Sequence, residues 1–330
     1  MEWSAIPLAN SAVSSCCGTI RKSDNGQLTE NDSVSASVSL EPSPTPIARR
    51  WSIPIGGAFI MGSDDRRFPA DGEGPPRLVT VSGFAIACHA VSNIQFGDFV
   101  RATGYTTDAE RYGWSFVFQA LLPDETRRAI DKRVAETPWW LPVPHAYWAQ
   151  PEGPSSTVLH RLDHPVVHVS WNDAKAYCRW SGTRLPSEAE WEIAARGGLE
   201  RASYPWGDEL TPSDEHRCNI WQGDFPDCNT ADDGHIGTAP VHAFQPNGYG
   251  LHNMAGNVWE WCEDYFAPDY HRITAAVDPL QTVPAVNRSL RGGSFLCHES
   301  YCNRYRVAAR SSNSQDSASS NIGFRVVRSA

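Results

Sequence analysis

The 330 residues carry 38 acidic against 28 basic side chains, with 41% hydrophobic and 20% charged residues, the balance of a soluble globular chain long enough to bury a full core. The net charge of −10 and the lack of any long Lys/Arg run exclude a phosphate-tracking face, so no nucleic-acid partner is expected. No run reaches the ~18–20 apolar residues of a membrane span, and Met1-Glu2-Trp3-Ser4 lacks the basic and apolar regions of a secretory leader, so a cytoplasmic protein with no membrane partner is expected.

Residues 1–48 are rich in Ser, Asn, Thr and Pro, close on Glu41-Pro42-Ser43-Pro44-Thr45-Pro46, and hold too little apolar surface to offset the entropy of ordering. They read as a disordered tail before a single domain over 49–330. The apolar run from Ile53 to Ser63 and the alternating Arg77–Ile86 read as two strands of one small sheet. Ser92 and Gly104 bracket a short helix, Ser170 and Gly182 a clearer one, and Ser187 with Glu190 forms a capping box for a third that ends at Gly197-Gly198. Residues 105–168, with Trp114, Trp139, Trp140 and Trp148 among several prolines and no sustained period, read as a long functional loop region. Beyond Tyr204 the plain strand candidates are Ser289–Phe295 and Gly323–Val327. With 13 Trp, 25 Gly and 24 Pro, the chain should pack irregularly around indole rings with few long helices.

Nine cysteines without a disulfide framework fit a reducing compartment; only Cys16-Cys17 and Cys297/Cys302 lie close in sequence. Two thiolates at the Cys297-x4-Cys302 spacing can reach one soft ion, and Cu(I), which accepts two or three sulfurs, suits them better than tetrahedral zinc. On spacing alone a local disulfide or a pair of ordinary buried thiols is the favoured reading. The neighbouring Ser294, His298, Tyr301, Arg304 and Tyr305 are costly groups to cluster without polar chemistry. Asn219, Ile220, Asp233 and His235 lie in a Gly/Asp-rich stretch whose oxygens suit Ca²⁺ or, as readily, a solvated loop of Asx-turns. Asn253, Gly256, Val258 and Glu260 could ring a second Ca²⁺; the alternative is a turn entering a tryptophan core with Glu260 paired to an arginine. His164 and His168 lack metal spacing, and no dinucleotide, phosphate-loop or nucleophile-elbow motif occurs.

Gly56–Ser63, His168–Ala174, Arg184-Leu185-Pro186-Ser187-Glu188-Ala189-Glu190-Trp191-Glu192, Gly256–Trp261 and Arg291-Gly292-Gly293-Ser294 resemble the formylglycine-generating enzyme (sulfatase-modifying factor) family over residues 51–328. Cys297-His298-Glu299-Ser300-Tyr301-Cys302-Asn303-Arg304-Tyr305-Arg306 resembles its active branch. The resemblance implies an α+β fold in a single compact domain with little regular secondary structure, related to C-type-lectin-like folds. It implies a monomeric catalytic domain over 49–330 that oxidises the cysteine of a Cys-x-Pro-x-Arg segment in an unfolded sulfatase to Cα-formylglycine, with O₂, Cu(I) and a thiol reductant. Cys297 and Cys302 would hold copper, Ser294 and Trp259 would line the oxygen and substrate-thiol pocket, and His298, Tyr301 and Arg304 would support it. One structural Ca²⁺ would sit at Asn219, Ile220, Asp233 and His235 and another at Asn253, Gly256, Val258 and Glu260, with Ile220, His235, Gly256 and Val258 acting through carbonyls.

The chain departs from the secreted animal pattern: Val326 stands where the partner of Cys178 would be, and Ala195 and Val307 replace a second cysteine pair, as a bacterial-type enzyme in a reducing cytoplasm would show. Trp114 replaces an acidic groove residue, and Trp139, Trp140 and Trp148 are candidate groove walls, with core positions as the alternative. Two other family readings are an ergothioneine-type iron sulfoxide synthase, disfavoured because its N-terminal helical metal-binding domain is absent, and a catalytically silent peptide-binding paralogue, against which the cysteine pair argues.

Overall fold

Residues 49–330 are described by the structure, a computed structural model. The expected tail over 1–48 and its Cys16-Cys17 pair lie outside the described residues. The elements run β1 (Ile55–Met61), β2 (Arg77–Ile86), α1 (Asn93–Thr103), α2 (Asp108–Tyr112), β3 (Trp114–Phe118), α3 (Asp124–Ala129), β4 (Trp140–Pro144), α4 (Trp171–Ser181) and α5 (Glu188–Arg196). They continue with β5 (Gly223–Asp224), β6 (Cys228–Asn229), β7 (Trp259–Tyr265), α6 (Tyr270–Ile273), β8 (Asn287–Arg291), β9 (Arg310–Ser314), β10 (Ile322–Gly323) and β11 (Val327–Ser329). Long irregular stretches separate them, so the content is mixed α and β with little regular structure. Among the described residues no helix is long and apolar enough to cross a membrane.

Two sheets organise the core. One has the order β1-β2-β11, in which β11 returns from the C-terminus to pair Val327 with Ile86. The other has the order β10-β7-β8-β9, with β10 parallel to β7 and the remaining pairs antiparallel. The helices start where capping chemistry permits. Ser170 Oγ accepts the Asp173 N–H (3.1 Å) while Asp173 accepts the Ser170 N–H (2.8 Å), and Ser187 and Glu190 repeat this at α5 (3.1 and 2.8 Å). Each such cap contributes about 1 kcal/mol.

Three differences from the sequence reading have physical causes. Residues 105–168 are not a plain loop: β3 and β4 form an antiparallel pair, Trp114 opposite Pro144 and Phe118 opposite Trp140, flanked by α2 and α3. Prolines at 142 and 144 mask β4, yet a two-stranded pair leaves an edge where a missing N–H is tolerated. Trp140 and Trp148 are core residues, 1% and 5% exposed, so they wall no groove; Trp139 stays half-buried. β7 and β9 also lacked a strand signature. β7, Trp-Glu-Trp-Cys-Glu-Asp-Tyr, is enclosed between two neighbours and does not alternate, and β9, Arg-Ser-Ser-Asn-Ser, is a wholly buried polar strand.

The largest core cluster gathers Phe96, Tyr177, Trp259, Trp261, Phe324 and Val326 with Cys178, Cys218, Cys297 and Cys302. Cys178 and Val326 therefore share one apolar cluster, and Ala195 and Val307 share another. Apolar packing occupies the positions where a disulfide pattern would have placed cysteines.

Candidate active site

The site is built outward from a buried ion network. Helix α5 carries Glu188 and Glu192 beneath β8 and β9. Glu188 accepts Ser289 Oγ (2.6 Å), Arg310 Nε and Nη2 (2.6 and 2.7 Å) and Arg291 Nη1 (3.4 Å). Glu192 accepts Arg291 Nη2 (2.5 Å) and Arg196 Nη2 (2.7 Å). Burial alone would raise the Glu188 pKa, but the guanidinium groups of Arg310 and Arg291 overcome it and hold the carboxyl below its ordinary range. The Arg184–Glu192 stretch and Arg291 are thus two halves of one electrostatic platform.

Arg291 ends β8, and the chain turns sharply through Gly292 and Gly293. Gly293 sits at φ 76°, and a Cβ there would meet Arg304 O at 2.9 Å and Tyr305 Cα at 3.0 Å, so only glycine lets the turn lie on the 304–305 backbone. That turn delivers Ser294 and Cys297. The Ser294 N–H donates to Cys297 Sγ (3.4 Å), and the Cys297 N–H donates to Ser294 O (2.9 Å). A tight turn follows in which His298 O accepts the N–H groups of Tyr301, Cys302 and Asn303 (3.1, 2.9 and 3.0 Å), folding Cys302 back toward Cys297. Both sulfurs are thiols, each 1% exposed, in the same core cluster as Trp259, Cys218, Ile220 and Tyr305.

Downstream, the segment is clamped to the N-terminal part of the domain. Arg304 Nε donates to Asp71 (2.5 Å) and its guanidinium covers the Phe68 ring at 4.1 Å. Arg306 makes a two-pronged pair with Glu73 (2.7 and 2.8 Å). Arg304 therefore ties the stretch after the cysteine turn to Phe68 and Asp71. Tyr301 stacks on Phe225 at 4.4 Å and meets the edge of Trp139 at 5.0 Å, a half-buried aromatic face beside Cys302. Beside it opens a cleft of about 270 Å³ lined by His216, Arg217, Cys218, Trp221, His298 and Tyr305, among others. Burial, then the neighbouring Tyr204 and the Cys297, Cys218 and Cys302 sulfurs, push the Tyr305 phenol above its ordinary range. Burial and the Asp233 charge do the same to the Cys218 thiol.

A paired-thiol turn on such a platform can be compared with known proteins. The family model of the sulfatase-modifying factor enzyme 1-like domain matches residues 39–330. The chain belongs to this sulfatase-modifying factor family. It is 59% identical over 287 residues to the formylglycine-generating enzyme of Thermomonospora curvata, covering 86% of this chain and 94% of that protein. It is 52% identical over 287 residues to the formylglycine-generating enzyme of Mus musculus, covering 87% and 77%. A solved structure of PvdO from Pseudomonas aeruginosa has a TM-score of 0.61 at 24% identity, over 83% of this chain and 92% of that one, and shares the fold.

Within this member of the sulfatase-modifying factor family, two buried sulfurs could hold a soft ion of low coordination such as Cu(I). Among the described residues no three His, Cys, Asp or Glu side chains converge as a metal-binding group. Oxygen-rich sites are a separate matter. Ile220 N–H donates to Asp233 Oδ2 (3.0 Å) and His235 N–H to Asp233 Oδ1 (2.9 Å), while Asn219 Oδ1 is buried without a hydrogen-bond partner. Asp233 Oδ2 also accepts Gln222 Nε2 (3.0 Å), an amide that donates to Ile220 O as well, so a hard cation such as Ca²⁺ would use the unpaired Asn219 oxygen but would share the carboxylate and displace that amide. Asn253, at φ 53°, also has a buried Oδ1 without a partner. Glu260, however, already accepts Trp191 Nε1 (2.8 Å) and Arg325 Nη2 and Nε (2.9 and 3.0 Å), so a cation there would share its carboxylate. Asn219 pairs with Gly256 in an isolated parallel bridge, and Val258 follows in the buried chain entering β7, so the two oxygen-rich sets are neighbours.

The structure thus gathers Ser294, Trp259, Cys297 and Cys302, puts His298 on the cleft and Tyr301 in the aromatic face, and sends Arg304 to Asp71. Sequence reasoning missed Asp71, Glu73, Phe225 and Asn321. Asn321 Nδ2 donates to Ser294 Oγ (3.0 Å) from a distant segment, and no local spacing announces it.

Proposed function

We propose that this chain is a formylglycine-generating oxidase. It would convert the cysteine of a Cys-x-Pro-x-Arg segment in a sulfatase polypeptide to Cα-formylglycine, using Cu(I) at Cys297 and Cys302, O₂ and an external thiol reductant. The observation that supports this most is the burial of both thiols in one apolar cluster beside an open cleft. Such a seat excludes water, and an extended peptide would lie in the neighbouring cleft. Copper would supply the electron transfer to dioxygen. The chain's own residues do the rest: the Ser294 N–H holds the Cys297 sulfur, the 298–302 turn fixes Cys302, and the Tyr301–Phe225–Trp139 face offers aromatic surface to the peptide. The stoichiometry closes with one peptidyl thiol, one O₂ and two reductant thiols giving one aldehyde, one hydrogen sulfide, one disulfide and one water. Two electrons come from the substrate carbon and two from the reductant. Structural Ca²⁺ at the Asn219 and Asn253 sets would tie together the loops that enter β7.

The test is incubation of purified protein and Cu(I) with a Cys-x-Pro-x-Arg peptide and a thiol under air, with the aldehyde detected by mass. Product is expected from the parent chain, and Cys302→Ser should lose both copper affinity and turnover. Absence of aldehyde at full copper loading, or an active copper-binding Cys302→Ser variant, would overturn the reading.

A further inference from the structure

The geometry points to Asn321 as the positioning residue that sets Ser294 as a hydrogen-bond donor beside the thiol pair, an inference that rests on the oxidase reading above. Asn321 is 1% exposed and lies just before β10, far in sequence from the cysteine turn. Its Nδ2 donates to Ser294 Oγ at 3.0 Å, and the Leu296 N–H donates to the same oxygen at 3.3 Å. A serine oxygen has two lone pairs, and both are engaged. Its single proton is therefore turned away from both donors and left for a group brought into the pocket next to Cys297. The amide cannot reverse this arrangement cheaply, because Ser319 Oγ donates to Asn321 Oδ1 at 2.7 Å and pins which end of the amide faces Ser294. The same residue accepts the Trp259 N–H through its carbonyl at 2.9 Å, so one asparagine orders both pocket residues.

The asparagine is itself held by a zipper of its neighbours onto strand β3. Ser320 N–H donates to Phe116 O (2.9 Å), Phe118 N–H to Ser320 Oγ (3.2 Å) and Ser115 Oγ to Ala318 O (3.0 Å). A preorganised donor aimed at developing charge is worth more than an ordinary neutral hydrogen bond, because a buried site does not reorganise during the reaction. An undirected Ser294 would accept or donate at random and lose that advantage.

The experiment compares Asn321→Ala, the near-isosteric Asn321→Asp, Ser294→Ala and the Ser294→Ala/Asn321→Ala double variant. The measurements are steady-state peptide oxidation, Cu(I) affinity by chelator competition, melting temperature and the Ser294 rotamer in a crystal structure of each folded single Asn321 variant. Asn321→Ala should lower kcat on the order of 10-fold with KM and copper affinity within about 2-fold, and Ser294 should leave its rotamer. Asn321→Asp, which keeps the shape and removes the donor, should lose at least as much. The double variant should be no slower than Ser294→Ala alone. Multiplied losses in the double variant, or a Ser294 hydroxyl that keeps its place in the Asn321 variants, would overturn the assignment. If the parent chain makes no aldehyde, the oxidase reading falls, and the Ser294 rotamer still decides whether Asn321 positions it.

Discussion

Replacing Glu188 by glutamine tests the platform under the site. The side chain is fully buried and, among the described residues, its carboxylate is the one that hydrogen-bonds Arg310, whose remaining hydrogen bonds go to the carbonyls of Asp71, Gly72 and Ala267. Arg291 keeps Glu192 at 2.5 Å, so the loss falls mainly on Arg310. Breaking one side of a buried ion pair costs about 3–5 kcal/mol, because an uncompensated charge stays in the interior. Against a total stability of roughly 5–15 kcal/mol, that is a large fraction. It corresponds to a melting temperature lower by roughly 10 °C for a domain of this size. Urea unfolding followed by tryptophan fluorescence gives the number. Ser289→Ala, which removes one neutral hydrogen bond from Glu188, calibrates it at about 1 kcal/mol. Adding Arg310→Met to Glu188→Gln should recover part of the loss, since removing the stranded charge is favourable. A Glu188→Gln variant within about 1 kcal/mol of the parent, or no recovery in the double variant, would refute the claim that these charges depend on one another.

The remaining predictions concern ions and protons. If Ca²⁺ occupies the Asn219 set, chelation should lower the melting temperature, since a ligand at 100-fold its Kd adds ~2.7 kcal/mol, and Asp233→Asn should remove the part of that response owed to this set; an unchanged transition after complete chelation would remove the assignment. Asp173, buried among Tyr105, Ser170 and Asp108, is pushed up to about 7 by burial first and by the Asp108 charge next. Its folded pKa exceeds its unfolded one, so the native state holds the proton more tightly and stability falls as pH rises from about 4 to about 7, by up to about 4 kcal/mol. Asp173→Asn should flatten that slope in urea titrations at pH 4.5 and 7.5, and an unaltered slope would show that other groups set it.

How much of this was legible depended on whether a residue's partner was near in sequence. Ser170–Asp173 and Ser187–Glu190 are local devices, and helices α4 and α5 fell where their caps placed them. The alternation of Arg77–Ile86 marked β2 for the same reason. Strand β9 could not be read, because Ser311, Ser312 and Asn313 look like a loop until Asn287 and the strand β8 backbone supply their partners. Within the site, the thiol pair and its turn stood out because six residues encode them together. Asp71, Glu73 and Asn321 are ordinary residues whose roles exist only through contacts made across the fold.

The clamp between the two ends of the domain has a consequence for biosynthesis. Asp71–Arg304 and Glu73–Arg306 each join residues 233 positions apart. The first halves of these pairs emerge from the ribosome long before the second, and closing so long a loop is an entropic cost met only when the last strands dock. A chain that stops before Arg304 therefore lacks both ion pairs that tie the stretch after the cysteine turn to residues 71–73. The segment after the cysteine turn is locked only once Arg304 and Arg306 have found Asp71 and Glu73.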